Sequence, residues 1–136
     1  GDYLTEENQA MFGGICTEEY YEKAIAYIKD TVEDARFFVF SDDPGFAKKK
    51  YTGKEYTIID INSGKDSFYD MYLMSQCKHN ICANSTFSFW GARLNQNAGK
   101  QMVRPLKQKN CDWYVPEKMK QLWKGWILID ETGKLW

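Results

Sequence analysis

The sequence predicts an α/β domain, a Rossmann-like parallel sheet with helices on both faces. Three observations carry this. Apolar, β-rich runs recur as RFFVFS, YTIIDI, HNICA and KQMVRP. Helical patterns of roughly 10 to 15 residues separate most of them, as in βαβ units. Parallel neighbours need long crossovers, and right-handed ones are expected. The 136 residues suit a single domain over positions 1–136.

The elements follow in order. TEEYYEKAIAYIKDTVED reads as a helix, with Thr17 as N-cap and Glu18 and Glu19 at the positive end of the dipole. Tyr21, Ala24, Ile25, Ile28 and Val32 share one face. RFFVFS is continuously apolar, the pattern of a strand buried on both faces. Asp42-Asp43-Pro44-Gly45 ends it, and Pro44 can start a short helix over PGFAKKKY. YTIIDI is the next strand, NSGKD its turn, and Asp66 can cap a helix over SFYDMYLMSQC. HNICA is a third strand, STFSFWGARLNQN a third helix, and KQMVRP a fourth strand stopped by Pro105. The aromatic tail DWYVPEKMKQLWKGWILID has no clear periodicity.

Composition narrows the function. Hydrophobic residues make up 43% and aromatics 16%, enough for a core without disulfides. A net charge of −1 leaves no electrostatic footprint for nucleic acid or an anionic membrane. The run Lys48, Lys49, Lys50 reads as a solvated face. The four cysteines lack the C-x-x-C spacing of a zinc site, and buried free thiols suit a reducing, cytoplasmic compartment. The apolar runs are too short to span a bilayer. The chain opens on GDYLTEEN with neither Met nor a lead-in strand, which reads as an excised piece or a tag remnant at Gly1.

In such a fold every strand-to-helix loop opens on the carboxyl edge of the sheet, where ligands bind. Three loops land there. The first carries Asp42 and Asp43. The second carries Asn62, Ser63 and Asp66, with Asp70 one turn into its helix. The third carries Asn84, Ser85 and Thr86. The helix start in ANSTFSFWG offers unpaired backbone N–H groups and the hydroxyls of Ser85, Thr86 and Ser88, a site for phosphate. Carboxylates repel phosphate, so theirs is another task. They can accept paired hydrogen bonds from ribose hydroxyls or from the N1–H and N2–H₂ edge of guanine. The layout fits a nucleotide and leans to guanine. Each residue also has a structural alternative: Ser85 and Asp66 as helix caps, Asp42 as a turn residue, and Phe87, Phe89 and Trp90 as packing. His79 precedes a strand on the opposite edge and reads as structural.

At this point GDYL, FFVFSDD, DSFYDMYLMSQCKHNICANSTFSFWGARLN and the proline that follows resemble glycosyltransferase family 11, the α-1,2-fucosyltransferases. The resemblance covers nearly the whole chain. It implies the C-terminal, donor-binding half of a GT-B fold, a fragment without the N-terminal acceptor domain. It implies GDP-fucose as donor, a galactose-containing glycan as acceptor, and transfer with inversion, without metal or cofactor. Of a first motif running roughly His-x-Arg-Arg-Gly-Asp-Tyr, only Gly1, Asp2 and Tyr3 are present, so the arginine of that motif is lacking. By resemblance Asp2 and Glu7 are the catalytic candidates, with Glu6 adjacent to the presumed base. Asp42 and Asp43 match a second acidic pair, Asp70 the aspartate that reads guanine, and Ser85 and Thr86 the hydroxyl pair near the β-phosphate. Arg93 stands where the family often has an aromatic residue and Phe89 where it often has Trp, which leaves the acceptor details open.

The expected partners are therefore the donor, a glycan and the absent N-terminal domain, with no nucleic acid. Self-association through the uncovered face is a further expectation, as is a place in the cytoplasm or at the inner face of a bacterial membrane. The fragment alone is expected to be inactive. Two other classes fit less of the sequence. One is a receiver-like phosphoacceptor module, which would want Lys-Pro where this chain has Arg104-Pro105. The other is a non-enzymatic interaction domain.

Overall fold

A computed structural model of the chain describes residues 13–41, 43–60 and 68–136. The first helix, α1, runs Glu18–Thr31, and the Thr17 hydroxyl caps it by accepting from the Tyr20 N–H at 3.1 Å. It stops short of the sequence expectation. The Thr31 hydroxyl turns back to the Tyr27 carbonyl, Val32 is extended, and Asp34 takes a left-handed φ of 52°.

Strand β1 is Phe37–Phe40, helix α2 Pro44–Lys50 and strand β2 Tyr56–Ile59. Helix α3 is Phe68–Gln76, strand β3 Asn80–Ile81 and helix α4 Thr86–Arg93. Strand β4 is Met102–Pro105, and the tail resolves into helix α5, Pro116–Leu122, and strand β5, Ile127–Ile129.

All the described strand ladders are parallel, but they form two sheets, β1-β2 and β3-β4-β5. In the larger sheet Ile81 lies opposite Val103, and Val103 opposite Ile127. Helices α4 and α5 are the crossovers of two successive βαβ units.

Period-two alternation sorts the side chains of that sheet to two faces. On one, Val103 and Ile129 are buried against Tyr20, Ala24 and Ile28 of α1. On the other, Cys82 packs with Phe89 and Ala92 of α4, and Leu128 with Met119 of α5. Helices on both faces are thus realised. Strand β1 departs from expectation: Phe37 packs against the α1 core, but Phe38 points the other way and is 53% exposed. A continuous apolar run predicts burial on both faces only where both faces are covered.

His79 is structural, its Nδ1 accepting from the Gln101 N–H at 2.9 Å at the amino end of β3. Lys48 and Lys50 of the basic run make exposed ion pairs with Asp60 and Glu18.

Candidate functional site at the carboxyl edge

The segment between β3 and α4 builds the centre of the site. Ser85 is extended (φ −126°, ψ 144°), and its Oγ accepts from the Ser88 N–H at 3.3 Å. The Ser88 hydroxyl lies 3.0 Å from Ser85 Oγ and within hydrogen-bond distance of the Ala83 and Ser85 carbonyls, so it is engaged within the turn. Thr86 is different. It is exposed and lines a cavity of about 170 Å³ with Phe89, Trp90, Arg93, Gln108 and Trp123. The first-turn N–H groups of α4 open on this edge, where a helix end favours an anion.

Asn84 is buried and ties loops together. Its Oδ1 accepts from the Cys16 thiol at 3.3 Å, and its Nδ2 donates to the Gln108 carbonyl at 3.2 Å. Behind it, the Tyr20 hydroxyl donates to the Cys82 carbonyl at 2.5 Å. Burial pushes Tyr20 well above the ordinary phenol range, and burial also lifts Cys82 to about 12 despite the nearby Arg104 charge. Both stay neutral, so this floor adds no negative charge beneath the α4 N-terminus.

Asp70 reaches the same edge through helix packing. The ends of α3 and α4 meet where Asn95 and Asn97 both donate to the Cys77 carbonyl, at 2.7 and 2.9 Å. The two helices therefore run parallel, both starting at the carboxyl edge. They touch at Gly91, where an added Cβ would lie 2.9 Å from Met74 Cβ. One turn earlier on each helix stand Asp70 and Phe87, so Asp70 sits level with the first turn of α4, half-buried.

The structure thus brings Asp70, Ser85, Thr86 and Ser88 to one edge, with Asn84 beneath them. Asp43 follows β1 and caps α2, its Oδ1 accepting from the Phe46 N–H at 3.0 Å. Asp2, Glu7, Asp42, Asn62, Ser63 and Asp66 lie outside the described residues. Phe89 is buried as expected of a packing residue, whereas Trp90 is 48% exposed beside the cavity, with the Arg93 guanidinium carbon 5.9 Å from its ring centre. Trp123, which the sequence did not single out, lines this cavity, and Arg104, weighed in the sequence only against a Lys-Pro signature, lies behind it against the Trp123 ring. The available signal was a charged residue inside the apolar run KQMVRP.

A parallel α/β domain with helix N-termini and a carboxylate on its carboxyl edge is of the Rossmann-like class. The chain belongs to glycosyltransferase family 11, whose profile, described as Glycosyl transferase family 11, matches residues 1–130. It is similar to the O-antigen biosynthesis glycosyltransferase WbnK of Escherichia coli, at 40% identity over 93% of this chain and 41% of that protein. It is 41% identical to an alpha-1,2-colitosyltransferase of Escherichia coli, over 69% of this chain and 33% of that protein. A galactoside alpha-(1,2)-fucosyltransferase 1 of Saimiri boliviensis boliviensis is 26% identical over 69% of this chain and 26% of its own length. The chain thus spans about two fifths or less of the curated relatives it matches. No solved structure matches it significantly.

Proposed function

We propose that this chain is the donor-binding part of a nucleotide-sugar transferase. The sugar donor is GDP-fucose, or a close 6-deoxy relative such as GDP-colitose, and the product linkage is α-1,2 to a galactoside. The relatives named as colitosyl- and fucosyltransferases support that pair of sugars. The observation that carries the reading is the alignment of α3 with α4, which sets a carboxylate level with a helix N-terminus. One end suits a diphosphate and the other a base edge with paired donors.

The chemistry follows from charge. As the sugar–phosphate bond breaks, negative charge grows on the nucleoside diphosphate. The α4 N-terminus and the Thr86 hydroxyl stand where they can take up that charge, and donors fixed in advance do so without reorganising. Ser85 holds the helix start, and Ser88 and Asn84 hold Ser85 and its loop. Asp70 selects guanine. A carboxylate near the N-terminus, Asp2 or Glu7, would take the acceptor proton as the hydroxyl attacks from the opposite face. The transfer is inverting and needs no metal in this reading. The acceptor glycan is held mainly by the part of the relatives' length that this chain does not span.

The test is nucleotide selectivity. The chain binds GDP weakly, and more tightly than ADP, by calorimetry. Asp70→Ala removes the preference while leaving the shared diphosphate contribution. Equal affinity of the unaltered chain for GDP and ADP would refute the guanine role.

A further inference from the structure

Arg104 lies in β4 and is fully buried, at 0% exposure. Its Nε donates to the Pro105 carbonyl at 3.1 Å. Its Nη1 and Nη2 are buried and make no hydrogen bond among the described residues, and Trp123 Nε1 is in the same condition. The guanidinium carbon sits 4.0 Å from the Trp123 ring centre and 4.6 Å from that of Phe89. A second guanidinium, Arg93, lies 5.0 Å from the same indole. Among the described residues, neither arginine has a carboxylate within ion-pair distance.

A buried charge without a counter-ion is costly. Aromatic faces offset part of that cost but leave the N–H groups unanswered. Burial draws the guanidinium down to about 10, so it is still charged at neutral pH. All the orphaned groups are donors. The complementary ligand is one that only accepts and carries negative charge. Phe89 and Trp123, which cover Arg104, also wall the cavity that holds Thr86 and Arg93.

We propose that Arg104 is a phosphate-binding residue of this site, exposed to the donor's diphosphate when the Trp123 indole turns aside, with Arg93 as the outer cation. The chain would then hold a cationic pair of its own for the leaving group, in addition to the α4 N-terminus. This rests on the donor-site reading above, so the test uses a ligand without a base. Inorganic pyrophosphate and GDP are titrated by calorimetry into the unaltered chain, Arg104→Met, Arg104→Lys and Arg93→Met, with melting temperatures alongside. Arg104→Met is expected to weaken both ligands at least about tenfold, the worth of one charge-assisted hydrogen bond. Its melting temperature should hold or rise, because an unpaired buried charge has gone. Arg104→Lys should recover part of the affinity, and if Arg104→Met does not fold, Arg104→Lys and Arg93→Met carry the comparison. Pyrophosphate binding that is unchanged in the variants, or absent from the unaltered chain, overturns the proposal. Loss of pyrophosphate binding in Arg104→Met without any GDP-over-ADP preference would sustain the anion site and refute the guanine reading instead.

Discussion

Ser85 meets two demands with one side chain. Its Oγ satisfies the Ser88 N–H and so fixes where α4 begins. By fixing that start it also fixes where the remaining first-turn N–H groups point. Ser85→Ala should therefore cost about 1 kcal/mol of stability, as loss of a cap does. It should also weaken pyrophosphate binding; a chemical-denaturation midpoint that falls with unchanged affinity would reduce Ser85 to a cap alone. Thr86 separates the two roles, since it lines the cavity and caps nothing. The local pattern N-S-T before an apolar helix made the cap readable from sequence. Nothing local distinguished the exposed Thr86 from the engaged Ser88, because that depends on which way the helix turns into its neighbours. For Arg104 the sequence shows a charge inside an apolar run, but its orphaned N–H groups were illegible for the same reason, being a property of the aromatic rings around it.

At the scale of elements, the contact of α3 with α4 sets the site. Gly91 lets the two helices approach, and an alanine Cβ there would lie 2.9 Å from Met74 Cβ and 3.0 Å from its sulfur. Gly91→Ala gains about 1 kcal/mol of helix propensity and loses about 1–3 kcal/mol to overpacking. The expected result is a net destabilisation with a loss of GDP-over-ADP preference, since Asp70 moves away from α4. Selectivity that survives a lowered melting temperature would show that the helix spacing does not position Asp70. Four of the five described strands were legible as to place, because each is a short apolar run bounded by polar or turn residues; β5, inside the aromatic tail, was not. Their pairing was not. Hydrophobic runs record burial, and the β1-β2 pair stands as its own sheet with Phe38 uncovered on one face.

Across the whole molecule, the last residues close back on the first helix. The Thr17 hydroxyl donates to the Glu131 carbonyl at 2.6 Å, and Gly133, at φ +83°, packs against the Glu19 carbonyl. Asp130 organises this closure. Its carboxylate accepts from the Thr132 N–H and hydroxyl, the Lys134 N–H and the Trp136 indole. Burial pushes its pKa up, but these hydrogen bonds outweigh it and hold the group below the ordinary carboxylate range. A depressed folded pKa contributes stability that is complete above the unfolded value of about 3.9 and disappears as pH falls through the folded value. The chain should therefore melt higher than Asp130→Asn at pH 7, and the difference should shrink below about pH 4. A gap that stays constant with pH would mean that shape, rather than charge, closes the turn.

What residue order alone decided is the class: strands and helices in alternation, the turn residues between them, and a long motif specific enough to place the chain in its family. Those signals are local, written in periodicity, caps and spacing. The tertiary structure alone decided that Asp70 stands level with the α4 start, that Asn84 is a buried tie, and that Arg104 is buried with no counter-ion among the described residues. Each depends on which faces meet across tens of residues. Hydrophobic patterning sends a residue inward but does not say what it will meet there.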